Sequence, residues 1–153
     1  MRKKRGFTLI EVLFAIFLVV ICAFIVAATM PISNASQSKA SDLDKAMGLA
    51  QKQLEAIRGQ GFPNVNPTQL ATVGLIDSTN QISTNTYSFT NSDNANFDNP
   101  GTVLAQGAGS VKIEQLNLNL IRVTVTVSWL DLNVWRKTGQ LKNFAVGTLI
   151  ANL

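Results

Sequence analysis

The stretch RKKRGFTLIEVLFAIFLVVICAF, residues 2–24, decides the fold. Four consecutive bases, Arg2 to Arg5, precede one glycine, Gly6; an apolar run then begins that holds a single carboxylate, Glu11. From Val12 to Ala28 only Cys22 is even weakly polar. Counted from Phe7, the run is long enough to cross a hydrocarbon core of ~30 Å as a helix, which takes ~20 residues. Its Val, Ile, Leu, Phe and Ala content suits a lipid-exposed helix. The basic flank would stay cytoplasmic and the rest of the chain would lie across the membrane. A carboxylate at mid-helix in hydrocarbon costs roughly 2.5–3.5 kcal/mol on insertion scales, so Glu11 needs a physical reason.

Composition agrees that part of the chain does not face water. Of 153 residues, 46% are hydrophobic and 14% charged, and the charged share is well below the usual quarter. The length suits one domain, or one small domain plus an appendage. The net charge of +4 belongs to the N-terminus: without Arg2, Lys3, Lys4 and Arg5, nine bases balance nine acids. The remainder offers no basic patch for nucleic acid, so no nucleic-acid partner is expected. No histidine is present, which removes the commonest general base and transition-metal ligand. The single cysteine, Cys22, rules out an intramolecular disulfide and a Cys-rich metal site. No G-x-S-x-G and no metal-ligand cluster is found, so neither catalytic residues, nor a metal, nor a cofactor is expected.

Three readings of the N-terminus compete. A cleavable secretory signal would have a shorter apolar core; IVAATM offers Val26 and Ala28 as a small pair before a cut, but the run is too long. A plain signal anchor explains the length and the bases, but neither Glu11 nor the glycine before Phe7. The third reading uses every residue. KKRGFTLIEVLFAI resembles the leader of the type IV pilin superfamily, which covers type IV pilins, minor pilins and the pseudopilins of type II secretion and competence. The match is unbroken over Gly6, Phe7, Thr8, Leu9, Ile10 and Glu11.

The resemblance implies a prepilin peptidase that cuts between Gly6 and Phe7 and N-methylates Phe7. The apolar helix then survives as the anchor. It also implies that Glu11 neutralises the Phe7 amine of a neighbouring subunit during assembly, with the alternative that Glu11 only snorkels to the headgroups. Some tip-located pseudopilins lack this glutamate, so its presence favours a subunit with a neighbour above it. Implied partners are the peptidase, other pilin or pseudopilin subunits, the inner-membrane platform of the assembly machine and membrane lipid. The implied location is single-pass in the inner membrane with the head outside the cytoplasm, then within a pilus or pseudopilus.

Beyond the anchor, Pro31 lacks the N–H that would bond Ala27 and is expected to kink or locally unwind the helix. Leu43, Met47, Ala50, Leu54 and Ile57 then recur at spacings of four and three and predict one apolar stripe. Lys39, Asp42, Lys45, Gln51, Lys52, Glu55 and Arg58 lie on the other face, and Gly59 and Gly61 supply a stop. A helix from Phe7 to Arg58 would be roughly 78 Å long at 1.5 Å per residue. Residues 62–110 read as polar loops, with NVNPTQ, STNQISTNTYSFTNSDNANFDNPG and GAGS as turn-rich pieces and TYSFT as one short strand.

From Val111 the pattern is β. VKIEQL reads as a short strand. LIRVTVTVSWLDL is the clearest, with Ile121, Val123, Val125, Val127 and Trp129 facing one way and Arg122, Thr124, Thr126 and Ser128 the other. WRKTGQLK reads as a turn near Thr138–Gly139. NFAVGTLIANL returns, with Phe144, Val146, Thr148 and Ile150 on one face. The expected fold is α+β, a long N-terminal helix packed on a small antiparallel meander. Its parts are a cleaved leader 1–6, a helix 7–58 that spans the membrane to about 30, and a head 59–153 with loops 62–110 and strands 111–153. The ending RVTVTVSW…RKTGQLKNFAVGTLIA also resembles the C-terminal part of minor pilins and minor pseudopilins. These features predict a structural subunit, a minor pilin or pseudopilin. The alternative is an accessory or tip pilin whose Asn/Ser/Thr-rich loops bind a surface, a secreted substrate or DNA.

Overall fold

The computed structural model describes residues 8–92, 98–132 and 139–152. The architecture is α+β: one long N-terminal helix, α1 (Leu9–Gly59), then an antiparallel sheet of five strands. The chain divides into two compact units, residues 1–38 and 39–153. Among its described residues the first unit is the leading part of α1, which runs unbroken through Pro31.

In the second unit, β1 (Gln81–Ser83), β2 (Thr86–Ser88), β3 (Ala108–Asn117), β4 (Leu120–Leu132) and β5 (Gly139–Ala151) follow one another in sheet order, each antiparallel to the last. The alternation of β4 sets the two faces. Val123, Val125 and Val127 are fully buried, with Ile121 and Trp129 nearly so, while Arg122 is exposed. Paired opposite them on β5 are Ile150, Thr148, Val146 and Phe144, and Val111 of β3 faces Val125. Each such aliphatic side chain stabilises the fold by about 1.5–3 kcal/mol when removed from water.

The second part of α1 contributes to this core with a stripe that shares Ala50 and Ile57 with the expected one but is turned from it. The buried positions are Ala46, Leu49, Ala50, Gln53 and Ile57. Leu43 is 41% exposed, and Met47 and Leu54 are only half-buried. The helix is therefore turned by roughly 60° from the predicted face, at about 100° per residue. Ala46 and Ala50 are small enough to be fully buried in the core cluster with Val123, Val125 and Val127, whereas the larger Leu43 lines an open groove beside Trp129. Gln53 is affordable inside because its Nε2 donates to the Leu75 carbonyl, which satisfies a buried amide.

The region expected to be loops holds more order. A 3₁₀ turn (Phe62–Asn64) leads to α2 (Pro67–Thr72), and α3 (Pro100–Val103) precedes β3. Both short helices begin at an Asn-Pro pair. Asn66 Oδ1 accepts from the Gln69 N–H at 2.9 Å, and Asn99 Oδ1 accepts from the Thr102 N–H at 3.0 Å. In each, the asparagine caps and the proline takes the first helical position, where no N–H is needed. GAGS is not a loop either, because β3 already starts at Ala108. The Phe89 ring lies against Gly109, so close that a Cβ there would fall 2.6 Å from it. The strand read as VKIEQL is extended at both ends, and the last strand begins at Gly139 rather than Asn143. The turn expected near Thr138 lies outside the described residues up to Gly139, which is itself the first residue of β5.

Candidate assembly segment

The candidate site is the first turn of α1 and the apolar helix behind it. Thr8 stands immediately before the helix, and its carbonyl accepts from the Glu11 and Val12 N–H groups at 3.0 and 3.2 Å. The Glu11 carboxylate turns back, and its Oε2 accepts from both the Thr8 N–H and the Thr8 hydroxyl, each at 3.4 Å. These two contacts are long, but their pattern is the glutamate half of a capping box, Thr-x-x-Glu. An acid in the first turn also complements the positive end of the helix dipole. Glu11 is exposed. No further charge follows until Lys39.

Behind this turn the side chains are laid open. Leu9 is 81% exposed and Phe24 72%, and no side chain from Thr8 to Asn34 is buried. α1 is long and apolar enough to cross a membrane, with a mean hydropathy of 3.2 over its most apolar 18 residues. The few polar groups are handled locally. The Thr29 hydroxyl donates to the Val26 carbonyl at 3.0 Å, the usual way for a helix to satisfy a hydroxyl without water. Pro31 sits inside the helix, where its ring nitrogen has nothing to donate to Ala27. Cys22 is exposed and unpaired by any disulfide.

Of the residues singled out from the sequence, Glu11 and Pro31 fall on this helix, and Gly6 and Phe7 lie outside the described residues. The partner that sequence reasoning missed is Thr8. Its signal was present, since Thr8 and Glu11 stand three apart just before an apolar run, but the stretch was read only as a leader.

In the head, many polar side chains of residues 62–110 are used internally. Besides the two caps, Asp77 accepts from the Ser88 hydroxyl and, through Oδ1, from the Asn91 N–H at 3.0 Å. The Thr90 hydroxyl oxygen accepts from the Gly109 N–H at 3.0 Å. On the outer sheet face Lys112, Glu114 and Arg122 form a small charge cluster, with Lys112 Nζ 2.6 Å from Glu114. The hydrogen bond from Lys112 is the main cause that holds the Glu114 carboxyl below its ordinary value; burial opposes it, and the positive charges of Lys112 and Arg122 assist.

Neither the curated proteins nor the solved structures contain a match to this chain. One protein family does match over residues 1–27, described as the prokaryotic N-terminal methylation motif. The matched residues cover the basic flank, Gly6 to Glu11 and most of the apolar run. The chain thus carries a type IV pilin-like prepilin motif at its N-terminus, followed by an apolar helix and an α+β head.

Proposed function

We propose that this protein is a structural subunit of a type IV pilus-like filament, a minor pilin or pseudopilin, made as a precursor and matured by a prepilin peptidase. The observation that carries the reading is the methylation motif over residues 1–27 at the head of a helix whose apolar side chains are uncovered. The leader 1–6 is removed and Phe7 becomes the N-methylated terminus. Residues 7 to about 30 anchor the chain in the inner membrane, α1 continues to about residue 58, and residues 59–153 form the head outside the cytoplasm. A kink at Pro31 adjusts the helix between membrane and head. Glu11 then meets the Phe7 amine of a neighbouring subunit and reports axial register. The work is assembly, driven by a machine elsewhere, and not catalysis.

The test is Gly6→Val. A peptidase that accepts only a residue without a side chain before the cut leaves this variant as full-length precursor in the membrane. Mass spectrometry of the membrane fraction reads the N-terminus directly. Normal processing of the variant, with Phe7 as the first residue, would overturn the leader assignment.

A further inference from the structure

The hairpin that joins β3 to β4 is built from one repeated pair. Residues 116–120 read Leu-Asn-Leu-Asn-Leu, and no charge falls between Glu114 and Arg122. Leu118 stands at the turn and is 87% exposed, more than Leu9 at the head of the apolar helix. Leu116 before it is 45% exposed. Apolar side chains presented together on a polar surface mark an interaction site.

The asparagines serve the turn itself. Asn117 Oδ1 accepts from the Asn119 N–H at 2.9 Å, and the Asn119 carbonyl accepts from the Asn152 N–H at 2.9 Å. Both backbone groups of Asn119 are thus satisfied without water, which is the condition for backbone to enter hydrocarbon.

A band of charge follows the leucines. Arg122 lies two residues beyond Leu120, about 7 Å along the strand. Leu118 stands on the far side of Leu120, which puts roughly 10 Å between the exposed leucine and the cation. Lys112 and Arg122 share one acid, Glu114. Lys112 holds it at 2.6 Å and Arg122 only at 3.9 Å, so one positive charge is left over. Arg122 also borders an open depression of about 590 Å3 with Gly147, Thr148 and Leu149. Its guanidinium can take a pair of anionic oxygens there, in the fork geometry that suits phosphate.

We propose that this hairpin seats on an anionic phospholipid bilayer, with Leu116 and Leu118 in the acyl boundary and Arg122 and Lys112 at the headgroup phosphates. The spacing fits, because apolar side chains of interfacial elements enter about 5–10 Å into that boundary while basic ones stay level with the headgroups. A convex leucine needs a hollow in a protein partner, whereas a bilayer yields around it. The groove that a second copy could offer, beside Trp129, has Lys39 and Lys142 in its lining. Arg122 would arrive there among like charges.

For the test, the full chain with Cys22→Ser and Asn119→Cys carries an environment-sensitive dye at the turn and sits in nanodiscs of phosphatidylcholine. Vesicles of equal parts phosphatidylcholine and phosphatidylglycerol are titrated in. A saturating blue shift is expected with these vesicles, and none with vesicles of phosphatidylcholine alone. Leu118→Asp, at a position too open for the fold to depend on it, should abolish the shift. Arg122→Gln should weaken partitioning about five-fold. Lys52→Gln, which removes an exposed charge elsewhere, should leave it unchanged. No shift with anionic vesicles, or a shift indifferent to Leu118→Asp and Arg122→Gln, would overturn the inference. So would a shift that grows with protein concentration and needs no anionic lipid, because that outcome makes a second copy the occupant.

Discussion

The turned face of α1 makes a prediction opposite to the one its spacing suggests. Ala46 is fully buried against the inner row, whereas Leu43 is 41% exposed. Ala46→Leu adds branched volume where helix and sheet meet, and overpacking of this kind costs about 1–3 kcal/mol. Leu43→Ala removes a larger side chain, and in a closed core that change costs about 2–5 kcal/mol. At Leu43, however, part of the surface is already wet and the space opens to the groove beside Trp129. No sealed cavity forms there, so the loss falls to about 1 kcal/mol or less. For a head of this size 1 kcal/mol moves the midpoint by about 4 °C. Ala46→Leu should therefore lower the Tm by roughly 4–12 °C and Leu43→Ala by no more than about 4 °C. The assay is thermal unfolding of the full chain in detergent followed by tryptophan fluorescence, since Trp129 is buried in the core. If Leu43→Ala proves the more damaging of the two, the helix packs on the face its large aliphatics describe, and the buried alanine face is wrong.

Gln53→Leu keeps the volume but strands the Leu75 carbonyl in a buried place; stability should fall by about 1–3 kcal/mol in denaturant titration, and an unchanged midpoint would mean that water serves that carbonyl. Glu11→Val should be processed normally but enter filaments poorly, as read by shear fractionation and immunoblotting. Glu11→Gln separates causes, because it keeps an acceptor for Thr8 and removes the charge: assembly equal to wild type would show that charge pairing is not what Glu11 supplies. The depressed Glu114 carboxyl makes a small stabilising contribution that is fully present above the ordinary glutamate value and fades as pH falls through the lower folded value. Lys112→Met should remove that contribution and flatten the acid limb of a stability-against-pH curve without moving the neutral plateau's shape.

How much of this was legible depended on whether one period ruled. In LIRVTVTVSWLDL the alternation is uninterrupted, and β4 occupies those same residues. The long apolar helix was legible for the same reason, since the apolar run lies within α1. The face of α1 was legible only in part from spacing, which placed Ala50 and Ile57 inside but missed Ala46, Leu49 and Gln53. Small residues contribute little to a count of hydrophobic recurrence, yet they decide how near two backbones can come. The sequence between 62 and 110 misled in another way. Its asparagines and prolines suggested loops, but Asn66-Pro67 and Asn99-Pro100 are helix starts, each a cap followed by a residue already fixed at a helical φ. Read as pairs, these residues carried the signal; read as composition, they hid it. Gly109 was taken as a turn residue although its role is to admit the Phe89 ring against a strand.

On Glu11 the local contact and the proposed assembly role would fall on one carboxylate. In the isolated chain it lies over the first turn, in reach of the Thr8 N–H and hydroxyl. An acid at this position is worth only about 0.3–1 kcal/mol to a helix, too little to decide whether a helix of 51 residues forms. The self-contact therefore does not account for a charge kept at the head of an apolar segment. It does lower the cost of carrying that charge, because the carboxylate is neither bare nor strongly committed. Contacts of 3.4 Å to a neutral N–H and a hydroxyl are weaker than a charge-assisted bond to an amine. A cationic amine arriving from a neighbour would thus displace Thr8 at little cost, and the exchange would favour the assembled state by the difference between the two. Removing the charge while keeping the acceptor, as Glu11→Gln does, abolishes that difference but spares the cap, and so isolates the term on which the assembly reading depends.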